Sequence, residues 1–257
     1  MNPNKTTEKA LHELLDRYAE ILGQMKKENF SLGEDRYSGV FLPIAFDDYW
    51  SADFKVMHIG RETAGWNTNN SRNTLGRIFA ANQMGNIRQL VDEAVKRYRD
   101  HLPFEPDGKL KTTSRSRFKQ YYFRIAKELG LAPTSLIYGN LFAWDYDRKS
   151  PLGRPQTELN AVSDISLKLL ATQIKFFEPD AIVFSTGRDG IDGYIKQLFI
   201  DHFDRYETTN LNPGKMWEFQ ARKMTCFRIA HPRAQRGHQQ YRAEVIQRLK
   251  AIRAGRS

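Results

Sequence analysis

The chain has 257 residues, 40% hydrophobic and 12% aromatic, which is enough for one large globular domain with a full core. Its formal net charge of +10 suits an anionic partner, although a generally basic surface explains the charge as well. Its single cysteine, Cys226, lies in an apolar run and is predicted to be a buried thiol; it excludes a disulfide framework, a cysteine-rich zinc site and a four-cysteine iron–sulfur cluster within one chain. With no apolar run long enough for a bilayer and no signal-peptide pattern, we expect a cytoplasmic protein without membrane contact.

The first half of the chain is predicted to place helices around one short strand. An apolar stripe indicates a helix over 7–28, which Thr6 or Thr7 can cap, and an irregular aromatic segment over 30–53 follows it. Residues 54–59 form an apolar, β-compatible run that Gly60 ends. An Asn-rich loop comes next, and further helices are predicted over 74–81, 86–101 and 114–130, the last capped by Ser114 and stopped by Gly130.

The second half alternates strands and helices more regularly. Strands are predicted over 136–140, 181–185, 216–220 and 224–230, and the last two are possible partners of each other. Helices are predicted over 156–177 and 237–253, and another follows the glycine turn after the strand 181–185 and ends at about residue 203. This alternation predicts an α/β fold with a central, mainly parallel sheet of about four to five strands flanked by helices. We expect a single domain spanning 1–257, with 1–50 as a helical and irregular N-terminal extension.

The predicted helix over 114–130 mixes basic and aromatic residues. The basic ones are Arg115, Arg117, Lys119, Arg124 and Lys127, and the aromatic ones include Phe118, Tyr121 and Tyr122. Basic residues interleaved with aromatics suit a nucleic-acid backbone with stackable bases. An ordinary amphipathic helix with a basic outer face explains the pattern at least as well.

Polar residues follow four of the predicted strands: Glu62, Asn140, Thr186 and His231. If these strands are parallel, the four residues gather along one edge of the sheet, where α/β proteins bind ligands. The Glu62 carboxylate can polarise a water molecule or stabilise a developing cation, or it can simply pair with Arg61. The Asn140 amide can recognise a base edge or form a turn, and the His231 imidazole can donate to a leaving-group oxygen or to a loop.

The other segments carry weaker signals. The turn STGRDG at 185–190 places backbone amides at a helix start, which is either an anion site or, as we favour, a plain strand–helix connection. The histidines lack the spacing of metal ligands, and neither a GxSxG nor a Walker pattern is present. The sequence therefore predicts no metal site and no organic cofactor.

In their order along the chain, these segments resemble the motifs of the uracil-DNA glycosylase superfamily over roughly residues 54–240. IGRETAGW resembles the water-activating motif after the first strand, with Glu62 at the position of the catalytic aspartate. LIYGN resembles the strand whose last residue, here Asn140, reads the flipped pyrimidine. HPRAQR resembles the histidine–proline loop, in which His231 hydrogen-bonds the base oxygen as the base becomes anionic.

The resemblance implies roles for several further residues. Gly60, Ala64 and Phe79 would contact the base together with Asn140, and the residues that would contact DNA are Arg61, Arg233, Gln235 and Arg236. Either Gln235 or Arg236 would fill the gap that the extruded nucleotide leaves. The chain departs from the commonest branch in carrying Thr63 for a proline and Ala64 for a bulky tyrosine that blocks substituents at carbon 5 of the pyrimidine. The cysteine count excludes the iron–sulfur branch.

The resemblance thus implies a monomeric, cofactor-free DNA glycosylase that flips a pyrimidine out of DNA and hydrolyses its N-glycosidic bond, leaving an abasic site. Because of Ala64, we expect a 5-modified cytosine or uracil as substrate, for example a hypermodified phage cytosine in antiviral defence. A plain uracil-DNA glycosylase of base-excision repair and a catalytically silent nucleic-acid-binding protein are the alternatives. A third alternative is an α/β protein that binds a nucleoside or another small ligand.

Overall fold

The computed structural model describes residues 3–31, 35–66, 74–106, 109–187, 190–234 and 236–256. These residues have an α/β architecture with eight α-helices and a six-stranded sheet. The helices are α1 (Pro3–Gly23), α2 (Asp47–Ser51), α3 (Leu75–Gln83), α4 (Ile87–Arg99), α5 (Arg117–Glu128), α6 (Gln156–Phe177), α7 (Ile191–Phe203) and α8 (Gln239–Ala254). The strands are β1 (Val56–Gly60), β2 (Leu136–Asn140), β3 (Ala181–Phe184), β4 (Glu207–Asn212), β5 (Met216–Ala221) and β6 (Met224–Ile229).

The chain divides into two compact units. The first unit comprises Met1–Leu42, Glu62–His101 and Asn140–Phe176, and the second comprises Pro43–Arg61, Leu102–Gly139 and Phe177–Ser257. The first unit is helical, with α1, α3, α4 and nearly all of α6, whereas the second unit carries the sheet together with α2, α5, α7 and α8.

Helix α1 illustrates how an apolar stripe organises the first unit. Its residues Leu14, Tyr18 and Leu22 are buried as predicted, and Tyr18 hydrogen-bonds to Gln173 of α6. The predicted bounds of this helix were wrong, since it begins at Pro3, upstream of Thr6 and Thr7, and ends at Gly23. A proline is compatible with a first helical turn because its missing N–H has no partner there, and glycine disfavours continuing the helix.

The sheet of the second unit has the strand order β2-β1-β3-β6-β5-β4. Strands β1, β3 and β6 are parallel neighbours, whereas β5 is antiparallel to both β6 and β4. The predicted pairing of the last two strands is therefore confirmed. The sequence missed β4, because its residues ETTNLN are polar and largely exposed on both faces and show no alternation of apolar and polar residues.

Helices cover both faces of the sheet. Aliphatic and aromatic residues of α5 and α8 form one core with Val56, Val183 and Phe227 of the sheet. On the opposite face, Phe199 of α7 packs against Phe184 and Phe219. Cys226 is fully buried, as predicted, and burial raises the pKa of its thiol.

Helix α5 is amphipathic in the ordinary sense. Its residues Phe118, Tyr121 and Tyr122 are buried in the core, so these rings are not available to stack on bases. Ser116, not the predicted Ser114, caps the helix by accepting a hydrogen bond from the Lys119 backbone N–H. Of its basic residues, Arg117, Arg124 and Lys127 are exposed and Lys119 is half-buried.

None of the helices within the described residues is long and apolar enough to cross a membrane.

The aromatic segment 30–53 is largely irregular, as predicted, and contains the short helix α2, which the sequence did not indicate. Four of its rings, those of Phe30, Tyr37, Phe41 and Tyr49, are buried in the core, whereas Phe46 is half-buried and Trp50 is exposed.

Candidate functional site

Parallel pairing brings the ends of three strands to one edge of the sheet in the second unit. Ile59 of β1 pairs with Phe184 of β3, which in turn pairs with Arg228 of β6. Beyond the strands, the Ser185 N–H donates to the Ile59 carbonyl at 2.8 Å, and the Gly187 N–H donates to the Ile229 carbonyl at 3.3 Å. The residues that follow the three strands, among them Arg61, Thr186 and His231, therefore lie along the same edge of the sheet.

His231 is half-buried at this edge and is a neutral hydrogen-bond donor at physiological pH. Burial, together with Arg233, Arg61 and Arg242, lowers the pKa of its imidazole to about 4. The backbone N–H of Arg233 donates to Nδ1 of His231 at 3.1 Å. Since Nδ1 is an acceptor, the neutral ring carries its proton on Nε2. His231 can therefore donate a hydrogen bond from Nε2 without itself being charged.

Three arginines of the second unit, Arg61, Arg233 and Arg242, act electrostatically on this histidine, and two more, Arg117 and Arg124, act on Arg242. We call these five residues the arginine cluster. Arg242 of α8 is 9% exposed and donates from Nη1 to the Ala234 carbonyl at 2.7 Å, which fixes the turn after His231. Burial and the charges of Arg124 and Arg117 lower the pKa of Arg242. Among the described residues, neither Arg124 nor Arg233 forms a direct ion pair, and Arg124 interacts with the Glu128 carboxylate only at longer range.

A second histidine, His58, lies buried in β1. Its ring stacks on Phe118 at a centroid distance of 4.0 Å, and its Nε2 lies 2.7 Å from Oγ of Ser185. Burial, reinforced by His231, lowers the pKa of His58 to about 3. A hydroxyl beside an imidazole is the geometry of a nucleophile with its base, but an imidazole that cannot hold a proton is a poor base. Ser185 is also fully buried, so we assign this pair a structural role.

In the first unit, Glu62 begins a short loop whose shape is fixed by one buried carboxylate. Asp145 has no exposed surface, and its Oδ2 accepts hydrogen bonds from the Thr63 hydroxyl at 2.5 Å and from the backbone N–H groups of Gly65 at 2.8 Å and Trp66 at 3.3 Å. Glu62 itself is half-buried.

The Asp145 network leads to a stability prediction. Asp145→Asn is expected to lower the free energy of unfolding by about 2 kcal/mol, because the amide offers a donor where backbone N–H groups need an acceptor. Urea denaturation measures this loss, and Asp147→Asn, an exposed neighbour, is the matched control that should change little. Equal stability of the two variants would mean that Asp145 does not anchor the loop.

The remaining residues predicted for base contact occupy different environments. Asn140, the last residue of β2, is 6% exposed, and within the described part of the chain neither its Oδ1 nor its Nδ2 has a hydrogen-bond partner. A buried amide without partners is uncommon, and such a group is suited to hydrogen-bond a ligand. Gly60 is buried, and Ala64 is exposed. Phe79 is buried in α3 and packs against Phe30 at 5.7 Å, as a core residue does; its predicted stacking on a base stays a prediction.

Of the residues predicted to contact DNA, Arg233 and Arg236 are exposed and Arg61 is half-buried. Gln235 lies outside the described residues, as do Arg188 and Asp189 of the predicted strand–helix turn. Glu62 and Asn140 belong to the first unit and His231 to the second, and a joint role of the three in one site stays a prediction.

Sequence reasoning missed Asp145, His58 and Arg242. The only signals were a polar residue within an otherwise apolar strand, for His58, and an acidic residue soon after a strand, for Asp145. Arg242 is one basic residue among several in a basic helix, and nothing in the sequence distinguishes it from the others.

Comparison with known proteins does not assign the chain to a family. No protein-family profile matches the chain, and no curated protein sequence matches it significantly. Among the residues that the structure describes, no group of three or more histidine, cysteine, aspartate or glutamate side chains could hold a metal ion. The chain is an α/β protein with a mixed six-stranded sheet, and its strand ends present a neutral histidine within a cluster of arginines.

Proposed function

We propose that the protein is a monofunctional DNA glycosylase, which takes a pyrimidine nucleotide out of the DNA stack and hydrolyses its N-glycosidic bond. The observation that carries this proposal is the state of His231, a neutral imidazole protonated on Nε2 and flanked by arginines. As the glycosidic bond breaks, negative charge develops on an oxygen of the departing pyrimidine. The N–H of a neutral imidazole stabilises that charge by hydrogen bonding and, being a very weak acid, keeps its proton.

The arginine cluster supports DNA as the partner. Phosphate groups are natural counter-charges for arginines without a direct ion pair, such as Arg124 and Arg233, and such contacts hold a duplex without reading its sequence. Enzymes that act on a base inside a duplex must first extrude the nucleotide. In this proposal the cluster binds the phosphates on either side of the extruded nucleotide, and the turn after His231 lies next to the duplex.

The remaining catalytic roles follow from chemistry. N-glycosidic cleavage passes through an oxocarbenium-like sugar, so the Glu62 carboxylate stabilises positive charge and positions the attacking water. The Asn140 amide has both a donor and an acceptor, and it hydrogen-bonds the edge of the base. No organic cofactor is required for these steps.

For the substrate we favour a pyrimidine with a substituent at carbon 5. Ala64 is exposed and small, and it stands where the resembled motif carries a tyrosine that excludes such substituents. Defence against phages with hypermodified cytosines is one setting for this activity. Plain uracil is the alternative substrate, and a silent nucleic-acid-binding protein is the alternative function.

The proposal is tested with an abasic-site cleavage assay. Its substrates are duplexes that each carry one uracil, one 5-hydroxymethylcytosine or one glucosylated 5-hydroxymethylcytosine. We expect an abasic site at the modified cytosine. Activity on uracil alone would contradict the substrate preference inferred from Ala64 and would indicate a uracil-DNA glycosylase of base-excision repair. Salt-sensitive binding without release of any base would favour the silent protein.

The role of the arginine cluster can be measured without activity. Arg124→Ala is expected to weaken binding to all duplexes alike and to reduce the slope of log affinity against log salt concentration by about 1, since one phosphate contact is lost. Fluorescence anisotropy at several salt concentrations gives this slope. Arg222→Ala, which removes an arginine paired with Asp204, is the control. Identical slopes for the two variants would place the DNA elsewhere.

A further inference from the structure

A tight turn at Tyr146–Lys149 in the first unit has an unusual sequence for its backbone. The Tyr146 N–H donates to the Lys149 carbonyl and the Lys149 N–H donates to the Tyr146 carbonyl, each at 2.9 Å. The two central residues have positive φ angles, 49° at Asp147 and 59° at Arg148. Turns with this conformation strongly prefer Asn-Gly or Asp-Gly, because other L-residues are strained there. Arg148 therefore occupies a position that favours glycine.

The strained backbone directs the Arg148 side chain over the loop that begins with Glu62. A Cβ atom added at Gly65 would lie 3.1 Å from Cγ, 3.3 Å from Nε and 3.4 Å from Cδ of Arg148. Gly65 also has a φ of 88°, so both its conformation and the arginine above it require glycine. The arginine stem thus lies directly against the residue that follows Ala64.

One carboxylate holds both segments in this arrangement. The Arg148 backbone N–H donates to Oδ1 of Asp145 at 3.0 Å, while Oδ2 of the same residue holds Thr63, Gly65 and Trp66. The position of Arg148 relative to the loop is therefore built into the fold of the first unit.

Within the described ranges, the guanidinium group of Arg148 contacts no acceptor of the protein. Arg148 is exposed, and among the described residues its side chain forms neither an ion pair nor a hydrogen bond. Strained residues persist where the strain serves a purpose, and a strained arginine with unused donors is placed to contact a ligand.

We propose that Arg148 determines specificity by hydrogen-bonding oxygen atoms of the substituent at carbon 5 of the extruded pyrimidine. This inference rests on the proposed function, in which that substituent passes Ala64. Guanidinium has five N–H donors and no acceptor, so the substituent must carry oxygen acceptors, as hydroxymethyl and glucosyl groups do. A DNA phosphate offers the same acceptor chemistry, and the experiment separates the two sources.

Arg148→Asn removes the guanidinium, and asparagine tolerates the left-handed conformation of the turn. Single-turnover excision is measured on duplexes with uracil, 5-hydroxymethylcytosine or its glucosylated form. We expect a loss of roughly 10- to 100-fold on the glucosylated base, a smaller loss on the hydroxymethylated base and little change on uracil. Arg222→Asn, which replaces an arginine with a φ of 53° in the turn between β5 and β6, is the matched control and should change nothing.

Two outcomes overturn the inference. An equal loss on all three duplexes with a reduced salt slope means that Arg148 binds a phosphate, and no loss on any duplex means that it binds neither. Should the asparagine variant not fold, Arg148→Gly fits the same turn without strain and replaces it.

Affinity separates this inference from the proposed function. If the wild-type protein releases no base from any duplex, the glycosylase proposal fails by itself. A preference of the wild-type protein for the glucosylated duplex that disappears in Arg148→Asn would still support the inference. Absence of that preference would refute it.

Discussion

Replacing Glu62 by glutamine is expected to slow base release by at least about a hundredfold while leaving DNA affinity nearly unchanged. Glutamine has the same size as glutamate but carries no negative charge. It can neither stabilise the positive sugar nor accept a proton from the attacking water. Because Thr63, Gly65 and Trp66 are the residues that bond to Asp145 and all three are retained, the fold of the loop should survive the change.

Single-turnover kinetics on the preferred duplex measure the rate, and anisotropy measures the affinity of the same variant. Glu207→Gln, which removes an exposed carboxylate on the edge strand β4, is the control and should behave as the wild type. A Glu62→Gln protein that releases the base at the wild-type rate would eliminate the proposed mechanism. A parallel loss of thermal stability would instead indicate a structural role.

The second large effect concerns stability in acid. His58 has a pKa of about 3 in the folded protein and about 6.5 when unfolded, so between these values the unfolded chain binds more protons. Its contribution to stability is therefore full above pH 6.5 and is lost progressively as the pH falls towards 3. Between pH 7.5 and pH 5 the loss from this fully buried group alone amounts to about 2 kcal/mol.

Urea denaturation at the two pH values isolates this contribution when it is applied to His58→Gln. Glutamine does not titrate in this range and can still hydrogen-bond Ser185, so the fall in stability on acidification should be smaller than in the wild type by about 2 kcal/mol. His12→Gln, on the exposed side of α1, is the control and should retain the wild-type pH dependence. An unchanged dependence in His58→Gln would show that folding does not lower the pKa of this imidazole.

Several elements could be located from the sequence because their signals are local. Strand β2 and helix α6 have the predicted bounds, since a bounded apolar run and a sustained helical period each act within one segment. Local signals also predicted strand β3, which a glycine-rich segment follows, and the pairing of β5 with β6. Strand β4 was not predicted, because its pairing with β5 rather than any apolar pattern makes it a strand.

Helix α5 shows where local signals mislead. Its alternation of arginines with aromatic rings fits both a nucleic-acid-binding surface and an amphipathic helix. Phe118 and Tyr121 pack against His58, which shows that these rings belong to the core. The exposed basic residues fit either interpretation. The sequence shows that the helix has an aromatic face and a basic face, but it does not show what each face contacts.

The sequence by itself determined the α/β class, the strand ends and the residue types that stand there. Tertiary structure alone decided what those residues can do. Asp145 anchors Thr63 from 82 positions away, and His58 meets Ser185 from 127 positions away. The protonated nitrogen of His231 follows from one backbone N–H, and its low pKa follows from burial and arginines on other segments. Hydrogen bonds and electrostatic fields depend on distance in space, which no local pattern of residues encodes.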